Sequence, residues 1–221
     1  MKKKILYVTV LALASSAVGA VPMLLAQASN AGTITIKDPA EYNAYNSAIG
    51  QPTPQAKEQA IEGFLRQYPD SVVKQQMLEV LMDAYTQTGN TDKALATARK
   101  VLQTDPNDMR ALALSAYVLR AEAGQKTNPA DALPLLDEAA ADAQRGLNAP
   151  APQGADAANY EKMKAAVTPL FDGAIAQDDL EKKDYAGAIQ NFQAELKAMT
   201  EQQTTAGPGI EDTYLLGTAY A

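Results

Sequence analysis

Residues Leu81 to Pro106 read LMDAYTQTGNTDKALATARKVLQTDP, and the reading of this stretch decides the fold. Together with the residue just upstream, Leu78, Leu81, Met82 and Tyr85 recur at i, i+3, i+4 and i+7, the spacing that lines one face of a helix. Thr88-Gly89-Asn90 interrupts the pattern. A second helix follows with Ala94, Ala98, Val101 and Leu102 on one face, and Asp105-Pro106-Asn107 closes it, because proline cannot continue the hydrogen-bond ladder. The unit is a helical hairpin, and packing explains each of its marked positions. Ala94 is small enough for two helices to approach closely, Gly89 can take the positive φ that ends the first helix, and Tyr85 fills the space between hairpins.

Composition agrees with that reading. At 221 residues and 47% hydrophobic content the chain makes one or two ordinary domains and can bury a sizeable core. Alanine is abundant, Trp is absent and aromatics make up 6%, which points to closely packed helices and an all-α fold rather than to a sheet sandwich.

The hairpin resembles the tetratricopeptide repeat family. That family places a large residue and then Leu-Gly-x-x-Tyr on a first helix, Gly at the turn, Ala and a larger residue on the second helix, and a closing Pro, with a period of roughly 34 residues. Leu78, Leu81, Tyr85, Gly89, Ala94, Ala98 and Pro106 fall on those positions in order, with Met82 in place of the small Gly and Leu78 in place of Trp. The resemblance implies an α-solenoid of stacked antiparallel helical hairpins whose first helices line an inner, partner-binding surface.

Further units lie on both sides. Upstream, Tyr42, Tyr45 and Ile49 mark a first helix, Gly50 to Pro54 a turn, and Ala56 to Tyr68 a second helix with Ala60, Ile61, Phe64 and Leu65 apolar. Its ending, FLRQYPDS, is similar to the shorter repeat variant of bacterial envelope proteins in the family. Downstream, Leu112, Ala116 and Leu119 continue the array, Gly124 to Pro129 forms an enlarged turn, and an alanine-rich helix runs from Pro129 to Leu147. The hairpins thus span 41–147, and NAPAPQG opens a linker over 148–155, a candidate break or hinge. Residues 156–221 hold a helical face through Tyr160, Val167, Phe171 and Ala174 that is expected to kink at Pro169. A turn and second helix follow at Asp184, Tyr185, Ala188 and Phe192, with Lys183 where Gly is expected. After a TTAGPG loop, Leu216, Gly217 and Tyr220 repeat Leu-Gly-x-x-Tyr as an incomplete repeat, from which a chain continuing further is expected.

The first 28 residues read as a secretory signal: Lys2, Lys3 and Lys4, an apolar run from Ile5 to Ala26, and the small-x-small site Ala26-Gln27-Ala28. Residues 29–40 follow as a flexible N-terminal segment. The expected location is the bacterial periplasm, or the inner membrane if the apolar segment is retained as an anchor. Cleavage removes three lysines and no acid from a formal charge of −7, leaving −10. An acidic chain without a Lys/Arg stripe is a poor match for phosphate backbones, so nucleic acid is not expected as a partner. With no Cys, stability rests on packing rather than on disulfides.

Two neighbouring stripes stand off the core faces of consecutive first helices: Gln76, Glu79, Asp83, Thr86 and Gln87 on one, Arg110, Ala113, Tyr117 and Arg120 on the next. One reading makes them a peptide-binding groove, with Tyr117 as an apolar contact and the arginines recognising ligand carboxylates. The other makes them a solvated face with Arg120 paired to Glu79 or Asp83. The basic clamp of chaperone-binding members of the family is not reproduced. The total absence of His excludes His-dependent nucleophilic pairs and imidazole metal sites, and no glycine-rich phosphate loop is present. The remaining enzyme reading rests on carboxylates, Asp178, Asp179, Glu181 and Asp184, or Asp137, Glu138 and Asp142, which read more simply as polar helix ends and faces. The expected function is therefore a non-catalytic interaction scaffold for a protein or peptide, with no cofactor and no small-molecule substrate. The alternative is an assembly subunit acting through end-to-end association.

Overall fold

A computed structural model describes residues 35–199 and 209–221. The signal segment, most of the N-terminal segment before the first helix, and all but the last residue of the TTAGPG loop lie outside the described residues. Among those described the secondary structure is entirely helical: α1 Pro39–Ile49, α2 Pro54–Gln67, α3 Lys74–Gln87, α4 Thr91–Thr104, α5 Met109–Ala123, α6 Pro129–Asn148, α7 Ala157–Glu181, α8 Tyr185–Ala198 and α9 Gly209–Tyr220.

Local chemistry sets the boundaries. Asp38, Thr53, Asn90, Asp108, Asn128, Asp156 and Asp184 each stand just before a helix and accept a hydrogen bond from a backbone N–H of its first turn. Pro39, Pro54 and Pro129 occupy first helical positions, where the missing N–H costs nothing. The first helix therefore starts at Pro39, inside the segment assigned above to the flexible N terminus.

The α3–α4 turn is built as expected. Gly89 has φ of 72°; its N–H donates to the carbonyl of Thr86 and that of Asn90 to the carbonyl of Tyr85, at 3.2 and 2.9 Å. These two bonds form the reverse turn that ends a helix on a left-handed residue. The α7–α8 turn repeats the device with a different residue. Lys183 has φ of 65°; it donates to Leu180 at 3.0 Å, and Asp184 donates to Asp179 at 2.8 Å.

Consecutive helices pack as hairpins, an arrangement consistent with a helical solenoid. Apolar faces supply the contact. Ile61, Phe64, Met77, Leu81 and Tyr85 make the core of α1–α4, with Tyr45, Phe64 and Tyr68 in ring contact. Leu78, Met82, Ala98, Val101 and Ala111 join α3 and α4 to α5. A larger cluster, with Leu112, Leu119, Ala143 and Phe171 at its centre, binds α5, α6 and α7. Gly146 has a specific use here, because the Phe171 ring sits where its Cβ would be.

The downstream half departs from the even spacing of α3 and α4. Helices α6 and α7 are longer, at 20 and 25 residues, and α7 runs through Pro169 as one helix. The NAPAPQG segment joins two helices that lie against each other. Buried Ala149 gives its carbonyl to Tyr160 Oη at 2.8 Å and to Lys164 Nζ at 3.3 Å, tying the start of the connection to α7. At the C-terminal unit, Leu216 is half-buried, and Gly217 and Tyr220 are exposed, whereas their counterparts Leu81, Met82 and Tyr85 are buried.

Candidate protein-interaction face

Helix α3 presents Gln76 and Gln87 to solvent and holds Glu79 and Asp83 half-buried between them. The neighbouring first helix, α5, begins with Arg110, whose Nη2 donates to Glu79 Oε2 and Nη1 to Asp83 Oδ2, both at 2.8 Å. The two stripes are thus neighbours, tied by a fork of charge-assisted bonds. Asp108, the N-cap of α5, adds a third carboxylate beside the same guanidinium. Burial pushes the Glu79 carboxyl up to about 7, reinforced by Asp108 and opposed by Arg110. Asp83 and Asp108 are raised for the same first reason. Three carboxylates around one guanidinium leave this part of the face acidic.

Further along α5, Tyr117 is half-buried against the α5–α7 cluster, and burial raises its phenol. Arg120 does not join the α3 carboxylates. Its Nε donates to Gln177 Oε1 at 3.0 Å and its Nη1 to Glu195 Oε1 at 2.9 Å, while its Nη2 reaches Asp212. One side chain therefore links α5 to α7, α8 and α9. The pairing expected for Arg120 is made by Arg110 instead, for a reason of length. Arg120 stands ten residues further along its helix, about 15 Å at 1.5 Å per residue, beyond the reach of its side chain. Both arginines are already paired with carboxylates of their own chain, two each, so a ligand carboxylate competes with those pairs for the same guanidinium.

Glu195, Gln177 and Asp212 are absent from the residues singled out by sequence. A signal for Glu195 does exist. In the register that sets Gly89 on Lys183, Ala94 falls on Ala188, Ala98 on Phe192 and Val101 on Glu195, so a carboxylate occupies a core position.

Most of the other carboxylates of the enzyme reading are engaged by neighbouring side chains or caps. Lys182 bridges Asp137 and Asp178 at 2.6 and 2.7 Å, Asp179 accepts from Asn191 at 2.9 Å, and Asp184 caps α8. Asp142 is buried, 3.7 Å from Arg145. Two clefts open to solvent, one of about 390 Å³ between α2, α3 and α4 beside Leu65, Tyr85 and Lys93, the other of about 410 Å³ between α7 and α8 beside Lys164 and Asp172. Among the described residues no helix is long and apolar enough to cross a membrane. Neither a protein-family model nor a curated protein sequence matches the chain.

Proposed function

We propose that the protein is a non-catalytic interaction scaffold of tetratricopeptide type, exported to the bacterial periplasm, that holds a protein or peptide segment on the first-helix face of α3 and α5. The supporting observation is the repeated turn. At Gly89-Asn90 and again at Lys183-Asp184 the chain uses the same pair of reversing hydrogen bonds, the same Asx cap and the same buried alanine, Ala94 or Ala188. Such repetition builds a frame that varies its exposed face while keeping its core. The acidic surplus around Arg110 favours a partner segment bearing Lys or Arg.

The test is photocrosslinking in intact cells from Gln76 and Gln87, with Lys100 on the flank of α4 as the control position. A discrete adduct from the first two positions and not from Lys100 is expected. Equal labelling from all three, or none from any, removes the groove. Fractionation with N-terminal sequencing tests export, with a mature chain starting at Ser29 as the expected result.

A second reading, assembly through the C-terminal unit, is favoured by the surface of α9, where Tyr214 is 74% and Tyr220 61% exposed beside Ile210. Sedimentation at rising concentration tests it. Self-association that Tyr214→Ser abolishes supports assembly, and a monomer at all concentrations excludes it.

A further inference from the structure

We infer that Glu195 and Asp212 share a single proton opposite Arg120, and that this proton latches α9 onto the rest of the helical stack, so that α9 is released as the medium becomes alkaline.

The charge balance carries the inference. Arg120, Glu195 and Asp212 have side chains only 17%, 3% and 5% exposed, and both carboxylates face the same guanidinium. With all three ionised, the site encloses one unbalanced negative charge. Like carboxylates sharing one cation away from water cannot both ionise cheaply, and the least costly remedy is for one to keep its proton. Glu195 Oε2 is the oxygen left over: it is buried and no donor among the described residues reaches it, whereas Glu195 Oε1 is taken by Arg120, and the Asp212 carboxyl is the group that a proton held between the two carboxylates would bond.

The surroundings worsen the imbalance. Helix α5 contributes Arg120 and the neutral Tyr117, α7 contributes Asp172 and the uncharged Gln177, and α9 adds Glu211 next to Asp212. Glu211 also lies against the end of α5 at Gly124. Helix α7 is shaped for the cluster, since a Cβ on Gly173 would collide with both Arg120 and Glu195. Burial, with Asp212 and Asp172 adding to it, moves the Glu195 carboxyl to about 7 against the attraction of Arg120.

Helix α9 is the element that depends on this cluster. Among the described residues its apolar anchorage is buried Ala219 with Leu215 and Leu216 half-buried against Phe192 and Ala188, while Ile210 and Tyr214 face outward and exposed Tyr220 accepts a hydrogen bond from Gln193 Nε2 of α8 at 2.6 Å. Asp212 is its tie to α5. The sign follows from linkage. A carboxyl whose docked value lies above its free value favours docking while it holds the proton, so the contribution is complete below the ordinary value of 4.5 and disappears as pH rises through about 7. The opening equilibrium of α9 therefore rises between pH 5 and pH 8.

Amide hydrogen exchange of the full chain, corrected for intrinsic rates, measures that equilibrium in α9 directly. The expected result is a loss of α9 protection of at least about tenfold from pH 5 to pH 8, the equivalent of one pKa unit, reduced to less than about threefold in Glu195→Gln or Asp212→Asn, each of which retains shape without titrating. Glu79→Gln, which removes the other strongly raised carboxyl, should leave the α9 profile as in the wild type. Protection of α9 that stays constant with pH in the wild type overturns the latch. So does a steep profile that persists in both carboxamide variants.

Discussion

Replacing Lys183 with glycine should stabilise the hairpin of α7 and α8, although it removes a side chain. Lys183 holds φ of 65°, the one positive φ carried by a non-glycine among the described residues, while Gly89 takes 72° at the matching turn. A residue with a Cβ pays about 1–2 kcal/mol to stand in the left-handed region. Glycine gives back about 0.4–1 kcal/mol through the extra freedom of its unfolded chain. Among the described residues the exposed Lys183 side chain makes no ion pair to offset this, so a net gain of about 0.5–1 kcal/mol is expected. With a urea slope of about 2–3 kcal/mol/M, the midpoint rises by about 0.3 M. Since stacked hairpins can open piecewise, exchange protection of α8 should rise alongside the helical circular dichroism midpoint. Gly89→Ala is the companion, because nothing lies within 4 Å of the Cβ it would acquire. Its loss of about 1 kcal/mol then reports φ alone. A lower midpoint for Lys183→Gly would falsify the equivalence of the two turns.

Three further outcomes are expected. Gly146→Ala puts a Cβ into the Phe171 ring, and overpacking of about 1–3 kcal/mol should outweigh the helix-propensity gain of about 1 kcal/mol, lowering the thermal midpoint. Asn90→Ala and Asp184→Ala each remove the acceptor for a first-turn N–H and should cost about 1 kcal/mol in urea titrations. For Glu79, whose half-buried carboxyl lies near 7 instead of 4.5 because desolvation outweighs the attraction of Arg110, the protonated group's contribution to stability is complete below 4.5 and is lost as pH rises through about 7. Glu79→Gln should therefore flatten the pH profile of urea stability by an amount on the order of 1–3 kcal/mol, and an unchanged profile would contradict the burial argument.

The hairpins were legible because their signals are local. Proline at 54, 106 and 129, an Asx or Thr cap before a run of apolar spacing, and Gly89 at a turn each act within a few residues, and the helices begin and end where these stand. The apolar stripe Leu78, Leu81, Met82, Tyr85 and its partners Ala94, Ala98 and Val101 are buried as their spacing requires. Long polar side chains are another matter. Arg120 finds Gln177, Glu195 and Asp212, which are 57, 75 and 92 positions away in sequence. No local rule selects among carboxylates at such separations, and Glu79 and Asp83 were equally plausible by charge alone. The left-handed Lys183 was read only as a missing glycine, because a side chain does not announce a strained φ.

Two parts of the described stack are held by different physics, and that difference gives the carboxylates around Arg120 their meaning. Between α1 and α7 the contacts are chiefly apolar; the partly covered fork of Arg110 on Glu79 and Asp83 is a polar exception, and ties such as Arg99 to Glu138 lie at the rim, with both side chains about half exposed. Rim pairs of this kind contribute about 0–1 kcal/mol and are screened by salt. At the last hairpin the position of Val101 is taken by Glu195, and the surface of Phe192 and Ala188 is shared with a guanidinium and a second carboxylate. Apolar burial does not respond to pH, whereas a buried cluster with one charge in excess must. A chain built in this way keeps an apolar core under its first hairpins, with Glu79 as their pH-sensitive group, while α9 attaches in proportion to a single proton. Such a division places the adjustable contact at α9, on whose surface Tyr214 and Ile210 face outward.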